Sequence, residues 1–132
     1  MKYLLDTATF LWVTFDELEK IPAMGVSILQ ESKNQIYLST VSVWEIAIKY
    51  SIGKLKLKMP PDKFVIEHAA KTDLTPLSIT HQHALEVAKL PFHHKDPFDR
   101  LLIAQALAEE IPIMTPDLHF KKYGVEVIWQ EG

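Results

Sequence analysis

Residues 96–115 read Asp-Pro-Phe-Asp-Arg-Leu-Leu-Ile-Ala-Gln-Ala-Leu-Ala-Glu-Glu-Ile-Pro-Ile-Met-Thr, and this stretch predicts a helix followed directly by a strand. Asp96 is a typical N-cap residue, and Pro97 suits the first position of a helix. The apolar residues that follow continue the helix over Pro97–Glu110. Pro112–Thr115 is then a short apolar strand. A helix joined to a strand by so short a turn is typical of α/β proteins.

The rest of the chain repeats this alternation of short apolar strands and amphipathic helices. Further strands are predicted at Lys2–Asp6, Gln35–Ser39, Leu74–Ser78 and Val125–Trp129. Helices are predicted over 8–14, 23–33, 42–51, 63–71 (capped by Asp62) and from Thr80 to about Leu90. Strands separated by helices imply crossover connections, hence a central parallel sheet in a three-layer α/β/α arrangement. Pro76 predicts that its strand lies near an edge.

Composition limits the class of protein. A chain of 132 residues without cysteine is predicted to form a single domain over 1–132, with neither disulfides nor zinc–thiolate sites. No apolar run reaches the length of a membrane span, and Asp6 interrupts the N-terminal apolar residues. We therefore expect a cytoplasmic protein that makes no contact with membranes.

Acidic residues are predicted to meet at one edge of the sheet. Asp6 ends the first strand, Glu45 follows the Gln35–Ser39 strand, and Asp117 follows the Pro112–Thr115 strand. Asp99 opens the helix after Asp96. The carboxyl ends of parallel strands form the usual ligand site of such sheets. Clustered carboxylates repel one another, and oxygen ligands favour Mg²⁺ or Mn²⁺, so the pattern predicts a divalent metal centre.

Several of these residues also have structural interpretations. Ser42-Val43-Trp44-Glu45 fits a capping box, which would make Glu45 part of a helix cap. Asp96 and Asp117 both fit N-cap positions. The adjacent pair His93-His94 is a poor metal site, because neighbouring side chains diverge, and His83 is expected to face solvent.

The formal net charge is −3, from 14 basic and 17 acidic side chains, which alone argues against a nucleic-acid partner. That argument weakens if Asp6, Glu45, Asp96, Asp99 and Asp117 share one centre, because the rest of the chain is then slightly basic. The basic residues predicted to contact phosphate are Lys49, Lys54, Lys56, Lys58 and Arg100. A solvated surface, or contact with an acidic protein, explains the lysines equally well, and Arg100 fits a salt bridge.

Four motifs in order along the chain now carry a resemblance. They are Leu4-Leu5-Asp6-Thr7, Ser42-Val43-Trp44-Glu45-Ile46-Ala47-Ile48-Lys49, the block from His94 to Ala104, and Thr115-Pro116-Asp117. The chain resembles the PIN domain family, and within it the VapC-type toxins of type II toxin–antitoxin pairs. The resemblance covers essentially the whole chain, and Asp-Pro-Phe-Asp-Arg is its most specific part.

This resemblance implies a Mg²⁺- or Mn²⁺-dependent endoribonuclease. It assigns the catalytic and metal-binding acids as Asp6, Glu45, Asp99 and Asp117, with Thr7, Asp96 and Thr115 in supporting positions. It also implies an RNA substrate, a cognate antitoxin and a homodimer. Ala8 stands where many relatives have histidine, which puts a substrate contact there in doubt.

Two other classes of function remain open at this point. A phosphatase with an aspartyl nucleophile also places an acid after its first strand, but it needs a second acid where this chain has Ala8. A non-enzymatic module that binds RNA or protein would not require four acids along one edge.

Overall fold

The computed structural model describes residues 1–129, which form a parallel sheet with helices on both faces. The strands are β1 (Lys2–Leu5), β2 (Gln35–Ser39), β3 (Thr75–Leu77), β4 (Ile113–Met114) and β5 (Val127–Ile128). The α-helices are α1 (Thr7–Thr14), α2 (Ala23–Gln30), α3 (Thr40–Ser51), α4 (Pro61–Lys71), α5 (His81–Glu86) and α6 (Pro97–Glu109). Short 3₁₀ helices span Leu18–Lys20, Val87–Lys89 and Leu118–Tyr123. The predicted three-layer α/β/α fold is confirmed.

The strand order is β3-β2-β1-β4-β5, and every neighbouring pair is parallel. β1 is the central strand and pairs with β4 through Leu4 opposite Ile113 and Leu5 opposite Met114. β3 lies at one edge, as the proline within it predicts. The strands that precede the acidic residues are therefore neighbours, and their carboxyl ends open on the same side of the molecule.

The core fills both faces of the sheet because successive side chains of a strand point in opposite directions. Leu4 packs on one face against residues of α6 and the 3₁₀ helix Leu118–Tyr123, and Leu5 packs on the other against residues of α1, α3 and α4. Both leucines are fully buried. A central strand buried on both faces gives Asp6, the next residue, a rigid and dry position.

Two local predictions were wrong. α4 begins at Pro61 after Pro60, so Asp62 lies inside the first turn and does not cap it. His83 is buried, at 1% exposure, because its ring completes a capping box with Thr80 and its Nε2 atom lies 2.9 Å from Glu109 Oε2. Within residues 1–129, no helix is long and apolar enough to cross a membrane.

Candidate metal centre

Asp6 is held from both of its carboxylate oxygens. It is the N-cap of α1, where its Oδ1 accepts a hydrogen bond of 2.8 Å from the Thr9 backbone N–H. Its Oδ2 accepts a hydrogen bond of 2.7 Å from the Thr115 hydroxyl, beyond the end of β4. Asp6 is buried. The end of β1 therefore presents a carboxylate whose orientation is fixed by two neighbouring elements.

Glu45 is not part of a helix cap, which corrects one of the interpretations drawn from the sequence. α3 begins at Thr40, and Ser39 caps it by accepting a hydrogen bond from the Val41 backbone N–H. Glu45 is therefore the sixth helical residue, beyond reach of the cap. Its Oε1 instead accepts a hydrogen bond of 2.7 Å from the Thr7 hydroxyl. This contact ties α3 to the first turn of α1, beside Asp6.

Asp96 and Asp99 have different roles at the start of α6. Asp96 is the N-cap, and its Oδ1 accepts from the backbone N–H groups of Phe98 (2.8 Å) and Asp99 (3.3 Å). The capping interpretation of Asp96 is thus confirmed. The Asp99 side chain instead points to His94, whose Nε2 atom lies 3.1 Å from its Oδ2.

Asp117 combines a cap with a position at the site. Its Oδ1 accepts from the backbone N–H of His119 at 2.9 Å, which caps the 3₁₀ helix Leu118–Tyr123. Its Oδ2 lies 2.9 Å from Nε2 of His94. Its own backbone N–H donates to the Thr115 hydroxyl at 3.1 Å. Thr115 therefore links Asp117 to Asp6.

His94 is the site residue that sequence reasoning missed. The Asp96 backbone N–H donates to its Nδ1 at 3.1 Å, which assigns the ring proton of the neutral form to Nε2, between Asp99 and Asp117. The neighbouring His93 ring packs on Tyr123 instead. Adjacent histidines do diverge, as expected, but one of them reaches the acids. No spacing rule signals this, because the loop conformation alone directs the ring.

A ring nitrogen of His94 and one carboxylate oxygen each of Asp99 and Asp117 lie within 4.8 Å of one another, and Asp6 and Glu45 stand outside this group. The pKa of Asp99 is raised to about 7, mostly by burial and in addition by the nearby carboxylates of Asp96, Glu45 and Asp6, against the lowering effect of His94. Burial also raises the pKa of Asp6. These acids share one electrostatic environment that favours an added positive charge.

Asp117 behaves differently from the other acids. Partial burial acts to raise its pKa, but hydrogen bonds from the His119 backbone and ring and from His94 outweigh burial and lower the pKa below its ordinary value. Asp117 therefore stays ionised when Asp99 is protonated. The centre keeps a negative charge that can attract a cation even below neutral pH.

The four lysines near the centre line two neighbouring cavities. Lys49 forms an ion pair with Glu45, and this hydrogen bond raises the pKa of Lys49. Lys49 and Lys54 both line an open cavity of about 280 Å³ that also includes Glu45 and Thr7. Lys56 and Lys58 line the next cavity along the same segment.

Arg100 is not available to RNA, so its inclusion among the phosphate contacts was wrong. It is buried, and its guanidinium donates to the backbone carbonyls of Pro91 (2.8 Å) and Val87 (3.1 Å). Longer hydrogen bonds join it to the carbonyls of Leu90 and His94. The Phe92 ring covers its outer face. Arg100 thereby fixes the loop that carries His94.

The PIN domain family model matches residues 3–126 of this sequence, and the match includes all four carboxylates. The chain belongs to the PIN domain family. Among curated proteins it is similar to "Ribonuclease VapC16" of Mycobacterium tuberculosis (strain ATCC 25618 / H37Rv), with 40% identity over 57 residues. That alignment spans 43% of this chain and 40% of the relative's length.

Solved structures share the same PIN fold. A crystal structure of VapBC2 from Rickettsia felis, bound to a DNA fragment from their promoter, matches with a TM-score of 0.68 and 17% identity. The match covers 98% of this chain and 100% of that one. VapBC-5 of Mycobacterium tuberculosis, a member of the VapBC family of toxin-antitoxin systems, matches with a TM-score of 0.60 and 16% identity, covering 98% of both chains. At these identities the likeness concerns the fold.

Proposed function

We propose that this PIN domain is a divalent-metal-dependent endoribonuclease, acting as the toxin of a type II toxin–antitoxin pair. The observation that supports the proposal is the close group of His94, Asp99 and Asp117, with Asp6 and Glu45 near enough for their charges to raise the pKa of Asp99. These side chains come from α6 and from residues that follow three neighbouring strands. Similarity to a protein named as a ribonuclease supports the same activity.

The donor set fits Mg²⁺ or Mn²⁺. Asp6, Glu45, Asp99 and Asp117 offer hard carboxylate oxygens, and the described residues contain no thiolate. Burial and the nearby carboxylates both raise the pKa of Asp99, so a bound cation would favour its ionised form. Such an ion, when bound, activates water and offsets the charge that develops on a phosphodiester.

The surrounding side chains keep the ligands in place. Thr115 and the Thr9 backbone N–H fix Asp6, and the Thr7 hydroxyl fixes one oxygen of Glu45. Hydrogen-bonded positioning of this kind, from residues that do not touch the ion, orients ligands before binding. Thr7 and Thr115 are therefore positioning residues, and Asp96 serves by holding the start of α6.

Lys49 supplies positive charge at the entrance to the centre. It is partly exposed and pairs with Glu45, so it stands between the acids and the solvent. Together with Lys54 it lines the cavity beside Glu45, where a phosphate of the substrate strand would find two cations. These two lysines reconcile an acidic protein with an RNA substrate.

The cognate partner is proposed to be an antitoxin protein that covers this centre. The solved structures of VapBC2 and VapBC-5 have the same fold, and VapBC-5 is described as a member of the VapBC family of toxin-antitoxin systems. A homodimer is also proposed, as is a single PIN domain over the whole chain.

The decisive experiment measures cleavage of RNA over a Mn²⁺ or Mg²⁺ series, with EDTA as the metal-free reference. Asp6→Asn and Asp99→Asn should each reduce cleavage by about a hundredfold or more while the fold is retained. Asp73→Asn is the matched control. Asp73 is an exposed acid just before β3, at the amino-terminal ends of the strands and away from the proposed centre, and asparagine tolerates its positive φ.

Three outcomes would overturn the proposal. Cleavage that persists in EDTA would remove the metal from the reaction. Metal-dependent hydrolysis of p-nitrophenyl phosphate without cleavage of RNA would assign the centre to a phosphatase. Full activity in both asparagine variants would show that RNA is cut elsewhere.

A further inference from the structure

A second cavity lies beside the proposed nuclease centre. It encloses about 450 Å³ between the C-terminal end of α1 and the first two turns of α4. Its walls carry three aromatic rings, two lysines and one carboxylate: Phe15, Phe64, His68, Lys56, Lys58 and Asp16. None of these residues takes part in the proposed metal centre.

The aromatic wall of this cavity consists of Phe15, Phe64 and His68, which pack against one another. Phe64 is buried, and its ring centroid lies 6.0 Å from that of Phe15 and 4.6 Å from that of His68. Phe15 leaves 40% of its surface exposed at the cavity. The three rings are tilted against one another, so the stacking face is that of the partly exposed Phe15, which the buried Phe64 supports. Bases of every kind stack on exposed aromatic faces.

Two exposed lysines lie beside the aromatic wall. Lys56 and Lys58 are exposed, and they alternate with Leu55 and Leu57, which pack against the core. Among the ion pairs found within residues 1–129, none includes Lys56 or Lys58. Both ammonium groups are therefore free to bind an anionic group beside the aromatic wall.

Asp16 explains why the cavity is not simply basic. It follows Phe15, the C-cap residue of α1, with a φ of 58°, in the left-handed region that Gly, Asn and Asp tolerate best. Its carboxylate is an acceptor without donors, so it would repel phosphate but accept hydrogen bonds from a base. Guanine presents two neighbouring N–H donors on its Watson–Crick edge, and single-stranded RNA is often recognised through that edge.

The cavity is aligned with the metal centre. Ala8 and Leu11 of α1 line the cavity beside Glu45, and Thr14 and Phe15 line the second cavity. These residues share one face of the helix by their spacing. Residues 54–59 form the opposite side of both cavities. From Thr7 to Phe15 the helix rises about 12 Å, which is a few nucleotide steps of a strand.

We propose that this second cavity is a nucleotide subsite that holds one base of the RNA, preferably guanine, a few steps from the scissile phosphate. Phe15 stacks on the base, Asp16 accepts from its Watson–Crick edge, and Lys56 and Lys58 bind the adjoining phosphate. The inference rests on the proposed ribonuclease function, because it names the part of the RNA that the enzyme reads.

Binding of mononucleotides tests the subsite separately from cleavage. The full-length Asp99→Asn variant, in EDTA, is titrated by calorimetry with the 5′-monophosphates of guanosine, adenosine, cytidine and uridine. GMP should bind saturably and most tightly. Adding Phe15→Ala, or the pair Lys56→Ala and Lys58→Ala, should weaken GMP binding about tenfold. Lys33→Ala is the matched control, since Lys33 is an exposed lysine just before β2, at the amino-terminal ends of the strands.

Asp16→Asn isolates base selection, because asparagine keeps the left-handed backbone and removes one acceptor. It should bring the affinity for GMP close to that for AMP. A failure of the subsite is distinguishable from a failure of the nuclease: saturable GMP binding by a chain that cuts no RNA would leave the subsite standing alone.

Three results would overturn the subsite. One is the absence of binding for all four nucleotides together with an unchanged KM for RNA in Phe15→Ala. A second is equal affinity for all four, which would remove the role of Asp16. The third is a Phe15→Ala variant that binds GMP normally but loses affinity for its antitoxin, which would make the cavity a protein-docking site.

Discussion

The Nε2 atom of His94 lies 2.9 Å from Oδ2 of Asp117 and 3.1 Å from Oδ2 of Asp99, so one imidazole connects the loop before α6 to the residues after β4. Its other nitrogen accepts from the Asp96 backbone N–H. The ring is thus fixed at both nitrogens and holds two carboxylates at a set separation.

His94→Ala should therefore weaken Mn²⁺ binding or RNA cleavage by about 10–100-fold, the usual cost of losing a residue that orients metal ligands. Calorimetric titration with Mn²⁺ measures the first quantity directly. His93→Ala, whose ring packs on Tyr123 away from the acids, should change neither. Equal losses in the two variants would mean that the loop, and not the ring, matters.

Asp99 predicts a pH dependence of stability in the metal-free protein. Its pKa is about 7 in the folded chain against an ordinary value of 3.8, so the folded state holds a proton that the unfolded state releases between these values. The stabilisation is complete below the unfolded pKa and is lost as the pH rises through about 7. Asp99→Asn lacks this titration.

Urea unfolding in EDTA at pH 5 and pH 8 tests the sign. The stability of Asp99→Asn relative to the unsubstituted protein should be greater at pH 8 than at pH 5. A difference that is the same at both values, or that grows toward acid, would contradict a raised pKa for Asp99. Asp73→Asn again serves as the control, with no such dependence expected.

The Glu45–Lys49 ion pair predicts opposite effects on metal and RNA. Lys49→Met removes a cation that competes with the metal for Glu45, so Mn²⁺ affinity should rise by about two- to fivefold, as for a partly exposed pair. RNA affinity should fall, because a phosphate contact is lost. Lys54 lines the same cavity but does not pair with Glu45. Lys54→Met should therefore weaken RNA binding and leave the Mn²⁺ affinity unchanged. Weaker Mn²⁺ binding in Lys49→Met would contradict the competition.

Arg100→Lys should destabilise the fold, because one ammonium cannot replace a guanidinium that donates to four carbonyls. Leaving buried carbonyls unpaired should cost about 2–4 kcal/mol in the free energy of unfolding. Urea unfolding gives this value. The salt dependence of RNA binding by the folded variant should stay unchanged, and a flatter slope would restore Arg100 as a phosphate contact.

Elements whose cause is local were predictable from the sequence. The cap and proline at Asp96-Pro97 mark the start of α6, and the alternation of apolar segments with helices predicts the parallel sheet. The position of acids after strands predicts that they share one edge, because that follows from the geometry of parallel strands. The β3 edge position followed from Pro76 in the same way.

Features that depend on distant contacts were not predictable. Ser42 and Glu45 have the spacing of a capping box, but α3 starts earlier because Ser39, at the end of β2, supplies the cap. The roles of Arg100 and His94 depend on the path of residues 87–94, which carry no periodic pattern. His83 looked exposed because its partner Glu109 is 26 residues away.

The β1–β4 pair is the place where two separate parts of the sequence meet in the sheet. β3, β2 and β1 come from residues before 78, and β4 and β5 come from residues after 112. Asp6 and Glu45 belong to the first part, and Asp99 and Asp117 to the second. A chain cut after β3 and before α6 would therefore leave Asp6 and Glu45 on one fragment and Asp99 and Asp117 on the other, and the proposed metal centre would form only when the two fragments reassociate.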